Sequence, residues 1–354
     1  MYRYEDVREV HLELTTRCNA ACPQCPRNLS GGAVNPGLPL VELGLEDVKR
    51  IFPAELVKRL RKLYACGNYG DPMVAKDTLP IFEHLRAQNG AMELGMFTNG
   101  SGRTSNYWRA LAKVTTYVRF SIDGLEDTNH LYRRGTEWSR IMAAVEAFVS
   151  AGGRAEWDFI VFKHNEHQIE EAQALARKLG FKRFFVKKTS RFFTAGTVSA
   201  KQVHERAGTP AYVLREPDNP RLKNAAVVRL TQIAHFAEYQ AETDITCKAA
   251  AHSRIYVSAE GLVFPCCWTG ALYPPNKPVG TAPMWDLVRR LPEGKASLDA
   301  RRSSIRAIVE GSFFQELVPA GWAKRSVKDG RLEPCVRACG THDTHAAQYG
   351  ASLL

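Results

Sequence analysis

The chain has 354 residues, more than a typical single domain, and its 45% hydrophobic content gives ample material for a buried core. No apolar signal core opens Met1-Tyr2-Arg3-Tyr4 and no run approaches the roughly twenty apolar residues of a membrane helix, so a soluble, cytoplasmic protein is expected. Lys and Arg number 48 against 37 Asp and Glu, a formal +11, which favours an anionic partner such as DNA, RNA or a phosphorylated metabolite.

Six strand-like runs are expected, at about 10–16, 63–67, 92–97, 117–122, 156–162 and 183–187. The first leads into Cys18-x3-Cys22-x2-Cys25. Three thiolates so close together can face one inorganic core, one ligand short of the four that saturate a four-iron cluster. A zinc knuckle is the alternative use of the same residues. The second run ends in Cys66-Gly67-Asn68-Tyr69-Gly70-Asp71-Pro72, where glycines allow close backbone approach and a carboxylate can meet an ammonium. The third exits into Thr98-Asn99-Gly100 and the fourth through Ser121-Ile122-Asp123-Gly124, with Arg133 and Arg134 downstream as guanidinium candidates for a carboxylate. Asn-Gly and Asp-Gly also serve as plain turns.

Helical spacing of Ile141, Ala144, Val145, Phe148 and Val149 follows the fourth strand, and Asn165 with Gln168 is placed to start the helix carrying Ile169, Ala172, Ala176 and Leu179. Strands alternating with helices imply a parallel sheet. Residues 191–246 read as a connector, polar up to Pro220 and then helical around Val227 to Tyr239. A hairpin over Arg254 to Ser258 and Leu262 to Pro265 delivers Cys266 and Cys267, a helix is expected around Ala296 to Glu310, and Cys335-x3-Cys339 closes the pattern begun by Cys247. His342 and His345 permit a mixed zinc set there, although the thiolates are complete without them.

The first cysteine loop resembles the cluster-binding loop of the radical S-adenosylmethionine (SAM) superfamily, with Gln24 where an aromatic residue usually packs near the adenine. The resemblance implies a partial (βα)6 TIM-type barrel over 1–190, the connector over 191–246, and a small α+β extension over 247–354. It implies a [4Fe-4S] cluster on Cys18, Cys22 and Cys25 and a SAM site using Gly70, Asp71, Asn99, Ser121, Asp123 and Arg133 or Arg134. The cysteines Cys247, Cys266, Cys335 and Cys339 resemble those of the twitch or SPASM-like extension, which holds one auxiliary [4Fe-4S] cluster. Such enzymes take electrons from a reductant such as flavodoxin or ferredoxin and form a 5′-deoxyadenosyl radical that removes a hydrogen atom from substrate.

Seven of the nine cysteines are thereby used, leaving Cys66 and Cys267 as small buried hydrophobes or as hydrogen-atom donors to a substrate radical, with Cys267 favoured by its place beside a cluster ligand. Basic and aromatic residues interleave from Lys182 to Phe193, and Lys187, Lys188 and Arg191 are expected to meet a phosphate backbone. The leading substrate expectation is therefore a nucleic-acid base or a side chain attached to one, in loose likeness to phage-encoded radical SAM proteins that hypermodify thymine. The rivals are modification of a ribosomal peptide, oxidation or epimerisation of a sugar or aminocyclitol, and a zinc-stapled nucleic-acid-binding protein without catalysis. Oligomeric state is not legible.

Overall fold

The computed structural model describes residues 1–194, 196–349 and 352–354. Six strands, β1 (Glu9–Leu12), β2 (Lys62–Ala65), β3 (Glu93–Thr98), β4 (Tyr117–Ser121), β5 (Ala155–Ile160) and β6 (Arg183–Lys187), pair in parallel, each with the next. Every expected strand is present. Two more follow from the C-terminal part. Strand β7 (Arg254–Val257) lies parallel on the far side of β1, and β8 (Val263–Phe264) returns antiparallel on β7. The result is one eight-stranded sheet, β8-β7-β1-β2-β3-β4-β5-β6.

The two faces of this sheet differ because side chains alternate along each strand. Phe120, Trp157 and Phe184 point to the helix side. Phe120 packs 5.5 Å from Trp108 and 5.9 Å from Phe148, which belong to helices Ser105–Val114 and Trp138–Ser150. The opposite face carries His11, Tyr64, Phe97, Arg119, Asp158 and Phe185. Arg119 on β4 reaches over the ring of Phe185 on β6, 4.4 Å away and two strands distant, so this face is concave. It is the inner wall of an open, partial TIM-type barrel. The helices cover the outside, as parallel sheets require.

Residues 247–354 share the barrel's core: Ile255, Val257, Val263, Phe313 and Leu332 belong to the same buried cluster as Val10, Leu12 and Leu63. Asn165 does stand before a helical segment, but its side chain caps nothing. Its Oδ1 accepts from Phe162 N at 2.7 Å and its Nδ2 donates to the carbonyls of Asp123 and Ile160, both at 2.9 Å, tying two strand exits together.

The connector holds more structure than its composition suggests. Short antiparallel hairpins pair Phe193–Thr194 with Thr197–Val198 and Lys201–His204 with Pro210–Leu214. The expected helix around Val227 to Tyr239 is two helices, Ala225–Thr231 and Phe236–Glu242. The stretch 296–310 is likewise split into a 3-10 turn, Gly294–Leu298, and a helix, Ile305–Val309, because Ser304 restarts the chain by capping Ala307 N at 3.1 Å. Beside β6, Lys188 N donates to Gln348 O at 2.9 Å and Leu353 N to Phe184 O at 2.9 Å. The C-terminal residues thus cover part of the sheet's free edge, where unpaired backbone groups would otherwise remain.

Candidate active site

The carboxyl ends of β1 to β4 converge on the first cysteine loop. Cys25 N bonds to Cys22 O at 3.0 Å, closing a tight turn, and N–H groups gather on the sulfurs. Ala20 N lies 3.3 Å and Asn99 Nδ2 3.8 Å from Cys18 Sγ, while Arg133 Nη1 lies 3.7 Å from Cys22 Sγ. Burial pushes the Cys22 thiol up to about 11, with Arg133 opposing and Cys25 adding. Burial also raises Cys18, helped by Asp71, Cys22 and Cys25. Two desolvated thiols, Cys18 and Cys22, with N–H donors aimed at their sulfurs, and Cys25 beside them in the same turn suit a cationic iron–sulfur core, which would release their protons.

The loop after β2 is held by its glycines. A Cβ on Gly70 would stand 1.8 Å from Thr15 O, and one on Gly67 2.0 Å from Gly70 O. Glu13, at the end of β1, accepts from Tyr69 N at 2.7 Å and Gly70 N at 3.2 Å and receives the Tyr256 hydroxyl on its other oxygen. Burial pushes Glu13 up to about 7 against those hydrogen bonds. Sequence reasoning passed over Glu13, although a carboxylate inside Leu12-Glu13-Leu14 is a visible anomaly.

Asp71 is buried, and all four of its lone-pair sites are filled. Oδ1 accepts from Met73 N at 3.0 Å and Thr98 Oγ1 at 2.8 Å, and Oδ2 from Asn99 N at 2.7 Å and Asn99 Nδ2 at 2.8 Å. Asp71 therefore fastens the β3 exit to the glycine loop. Asn99 carries that link to the cysteines, its Nδ2 also reaching Asn19 Oδ1 at 2.9 Å.

The two arginines separate. Arg133 donates through Nε to Asp123 Oδ2 at 2.6 Å, and the other oxygen of Asp123 accepts from Ile160 N at 2.6 Å. Arg134 turns away, bonding His204 O at 3.2 Å and Glu205 Oε2 at 2.7 Å in the connector hairpin. Ser121 ends β4 beside Asp158 of β5.

A second group of thiols forms at the extension. Cys247 precedes helix Lys248–Ala251, Cys266 follows β8, and Cys335 and Cys339 lie one turn apart on helix Glu333–Cys339. Burial raises Cys335, and Cys266, Cys339 and Cys247 all add to the effect, so the four share one neighbourhood. His342 instead stacks on Tyr239 at 5.5 Å, and His345 packs edge-on to Trp268 at 6.2 Å and is pushed down to about 4 by burial and nearby cations.

Cys66 and Cys267 belong to two loops that are hydrogen-bonded to each other. Asn68 Nδ2 donates to Cys267 O at 2.8 Å. Burial pushes Cys66 up to about 12, with Lys187 opposing and Glu13, Asp71 and Asp158 adding; following Ala65, it has the parity of Tyr64 and so of the concave face. Cys267 is raised by burial and then by Cys266 and Cys66.

Two of the three basic residues expected to track phosphates, Lys187 and Arg191, are otherwise engaged. Lys187 Nζ points inward, 3.0 Å from Asp158 Oδ2. Arg191 donates to Gln24 O at 2.8 Å, and Lys188 is half-buried. A β-strand sends alternate side chains to opposite faces, so the run does not present one basic track.

Residues 12–182 match the family profile described as "Radical SAM superfamily". The GTP 3',8-cyclase of Staphylococcus epidermidis is 25% identical over 168 residues, 46% of this chain and 48% of that protein, so the chain spans about half the length of this relative. The GTP 3',8-cyclase of Acidothermus cellulolyticus is 26% identical over 275 residues, covering 73% of this chain and 74% of that protein. Among solved structures, anSMEcpe with bound AdoMet superposes with a TM-score of 0.54 at 11% identity, over 90% of this chain and 81% of that one. Streptococcus suis SuiB bound to S-adenosylmethionine gives 0.53 at 15% identity, over 93% and 77%. These structural likenesses concern the fold. With the partial barrel and the family match in agreement, residues 12–182 are a radical SAM domain, which makes this a radical SAM-type enzyme of a superfamily that uses a [4Fe-4S] cluster and SAM.

Proposed function

We propose that Cys18, Cys22 and Cys25 hold the SAM-cleaving cluster, that Cys247, Cys266, Cys335 and Cys339 hold one auxiliary cluster, and that the substrate enters the concave chamber between them. A cluster held by Cys18, Cys22 and Cys25 would supply reducing electrons to SAM, the chemistry from which such enzymes draw hydrogen-atom abstraction. The chain's own part is to position and to exclude water. Asp71 acts through Thr98 and Asn99, Glu13 shapes the glycine loop, and Asp123 holds the Arg133 guanidinium beside Cys22. Of the two arginines, Arg133 is the SAM-site residue in this reading and Arg134 is structural.

Cys66 is the candidate for returning a hydrogen atom to a substrate radical, its S–H bond breaking as the C–H bond forms. It has the parity of Tyr64 on the concave face, whereas Cys267 directly follows the auxiliary candidate Cys266. This reverses the preference that sequence adjacency gave to Cys267.

The observation that carries the substrate reading is the chamber wall. Aromatic rings from His11, Tyr64, Phe97, Phe185 and Tyr349 surround charges of both signs. Such a wall suits a nucleobase, or a side chain attached to one, better than a bare polyanion. The relatives named for GTP cyclisation support a base-bearing substrate. Mass spectrometry of DNA, RNA and peptides from cells with and without the gene tests this. A modified nucleoside that disappears with the gene is expected; a changed peptide or sugar with unaltered nucleosides overturns the reading.

A further inference from the structure

The chamber contains an ionic group that none of the proposed cluster or SAM contacts uses. Asp158 sits mid-strand on β5 with its side chain 1% exposed, and its Oδ1 has no hydrogen-bond partner. Arg119 Nη1 stands 3.6 Å from that oxygen, an ionic contact beyond hydrogen-bond range. The guanidinium is held back by Glu156, which receives Nη2 at 2.6 Å and Nε at 3.1 Å, and by the rings of Phe97 and Phe185 at 5.0 and 4.4 Å. On the other side Lys187 Nζ gives one hydrogen to Asp158 Oδ2 and lies 4.6 Å over the Tyr349 ring. An ammonium carries three hydrogens, so the lysine has donors to spare.

A buried carboxylate oxygen without a donor is costly, and a parallel strand covered on both faces is normally apolar throughout. What would satisfy this group is limited by its charges. A phosphate would serve Lys187 and Arg119 but would meet Asp158 with like charge. A hydroxyl would fill the empty acceptor and leave the cations facing uncharged atoms. An ammonium and a carboxylate close together on one ligand serve both.

We infer that Asp158, Lys187 and Arg119 form a subsite for a zwitterionic, amino-acid-type head group on the substrate, the ammonium at Asp158 and the carboxylate at Lys187 and Arg119. The inference rests on the chamber being the substrate's place. It extends that reading from a base to an amino-acid side chain borne by the substrate.

The test is a calorimetric titration of the iron-loaded protein with SAM present, so that methionyl binding is already saturated, and without reductant. Omitting the reductant separates failure of head-group binding from failure of radical chemistry. The probes are phenylglycine, phenylacetate and benzylamine, which share a ring and differ in carrying both charges, the anion or the cation. Phenylglycine is expected to bind at least about tenfold tighter than either analogue. D158N should weaken phenylglycine and benzylamine but not phenylacetate, and K187M should weaken phenylglycine and phenylacetate but not benzylamine. The double variant D158N/K187M, which restores charge balance, guards against misfolding of the single ones; it should lose the preference for phenylglycine over phenylacetate, because Arg119 alone remains to meet a carboxylate and nothing remains to meet the ammonium. Equal affinities in the wild type, a preference for phenylacetate or inorganic phosphate, or no binding of phenylglycine would overturn the subsite.

Discussion

Arg133 Nε donates to Asp123 Oδ2 over 2.6 Å, and the same guanidinium places Nη1 3.7 Å from Cys22 Sγ. One side chain thus joins the exit of β4 to the cysteine loop. Arg134, its neighbour, is spent on Glu205. R133A should therefore lower SAM affinity by about tenfold or more, because a fixed forked donor is lost and Asp123 is left as a buried, unpaired carboxylate. R134A should change it by less than about twofold. Equilibrium binding of SAM to both iron-loaded variants checks the pair, and equal losses would contradict the assignment.

Gly70 tests the backbone side of the same pocket. Because a Cβ there meets Thr15 O at 1.8 Å, G70A must push the glycine loop off the segment that follows β1 and break the bonds that Tyr69 N and Gly70 N donate to Glu13. A loss of about 2 kcal/mol or more in stability, with SAM binding abolished, is expected from denaturant melts and a SAM titration. A variant as stable as the wild type would show that the loop has slack the structure does not contain.

The pH dependence of stability reports on Glu13. Its folded value of about 7 lies above the ordinary 4.5, so the folded chain binds a proton that the unfolded chain releases between those values. The group's contribution is accordingly greatest below about pH 4.5 and is lost as pH rises through about 7, by up to about 3 kcal/mol. E13Q cannot ionise and retains an acceptor for Tyr69 N and Gly70 N. Compared by denaturant melts at each pH, E13Q should gain on the wild type between pH 5 and 8. A constant difference would contradict the buried, protonatable carboxyl.

The strands could be read from sequence because their apolar positions alternate, and the cysteine loops because thiols so close in the chain can hardly avoid meeting. What stayed hidden depends on contacts between distant segments. Nothing local in Arg254 to Val257 says that it will lie parallel to Glu9 to Leu12, so the joining of the extension to the barrel sheet was out of reach. The break between the helices at 225–231 and 236–242 has no Pro or Gly to announce it. Lys187 looked like one of a basic row because its partner Asp158 is 29 residues away. A usable clue was present: Glu156 and Asp158 put two carboxylates into a strand of a parallel sheet, where apolar residues are the rule.

The extension makes its own prediction. Anaerobically reconstituted wild type should hold about eight irons, and the variant with Cys247, Cys266, Cys335 and Cys339 all changed to Ala about four. Metal analysis decides it. Stoichiometric zinc alongside about four irons in the wild type would assign the second thiol group to zinc instead.

The most direct test of the account is anaerobic incubation of the reconstituted protein with SAM and dithionite, with 5′-deoxyadenosine quantified by chromatography. The wild type should form it. The triple variant C18A/C22A/C25A should not, while keeping the roughly four irons of the auxiliary set. Continued formation of 5′-deoxyadenosine by the triple variant, or none by an iron-replete wild type, would contradict the assignment of these cysteines to SAM cleavage.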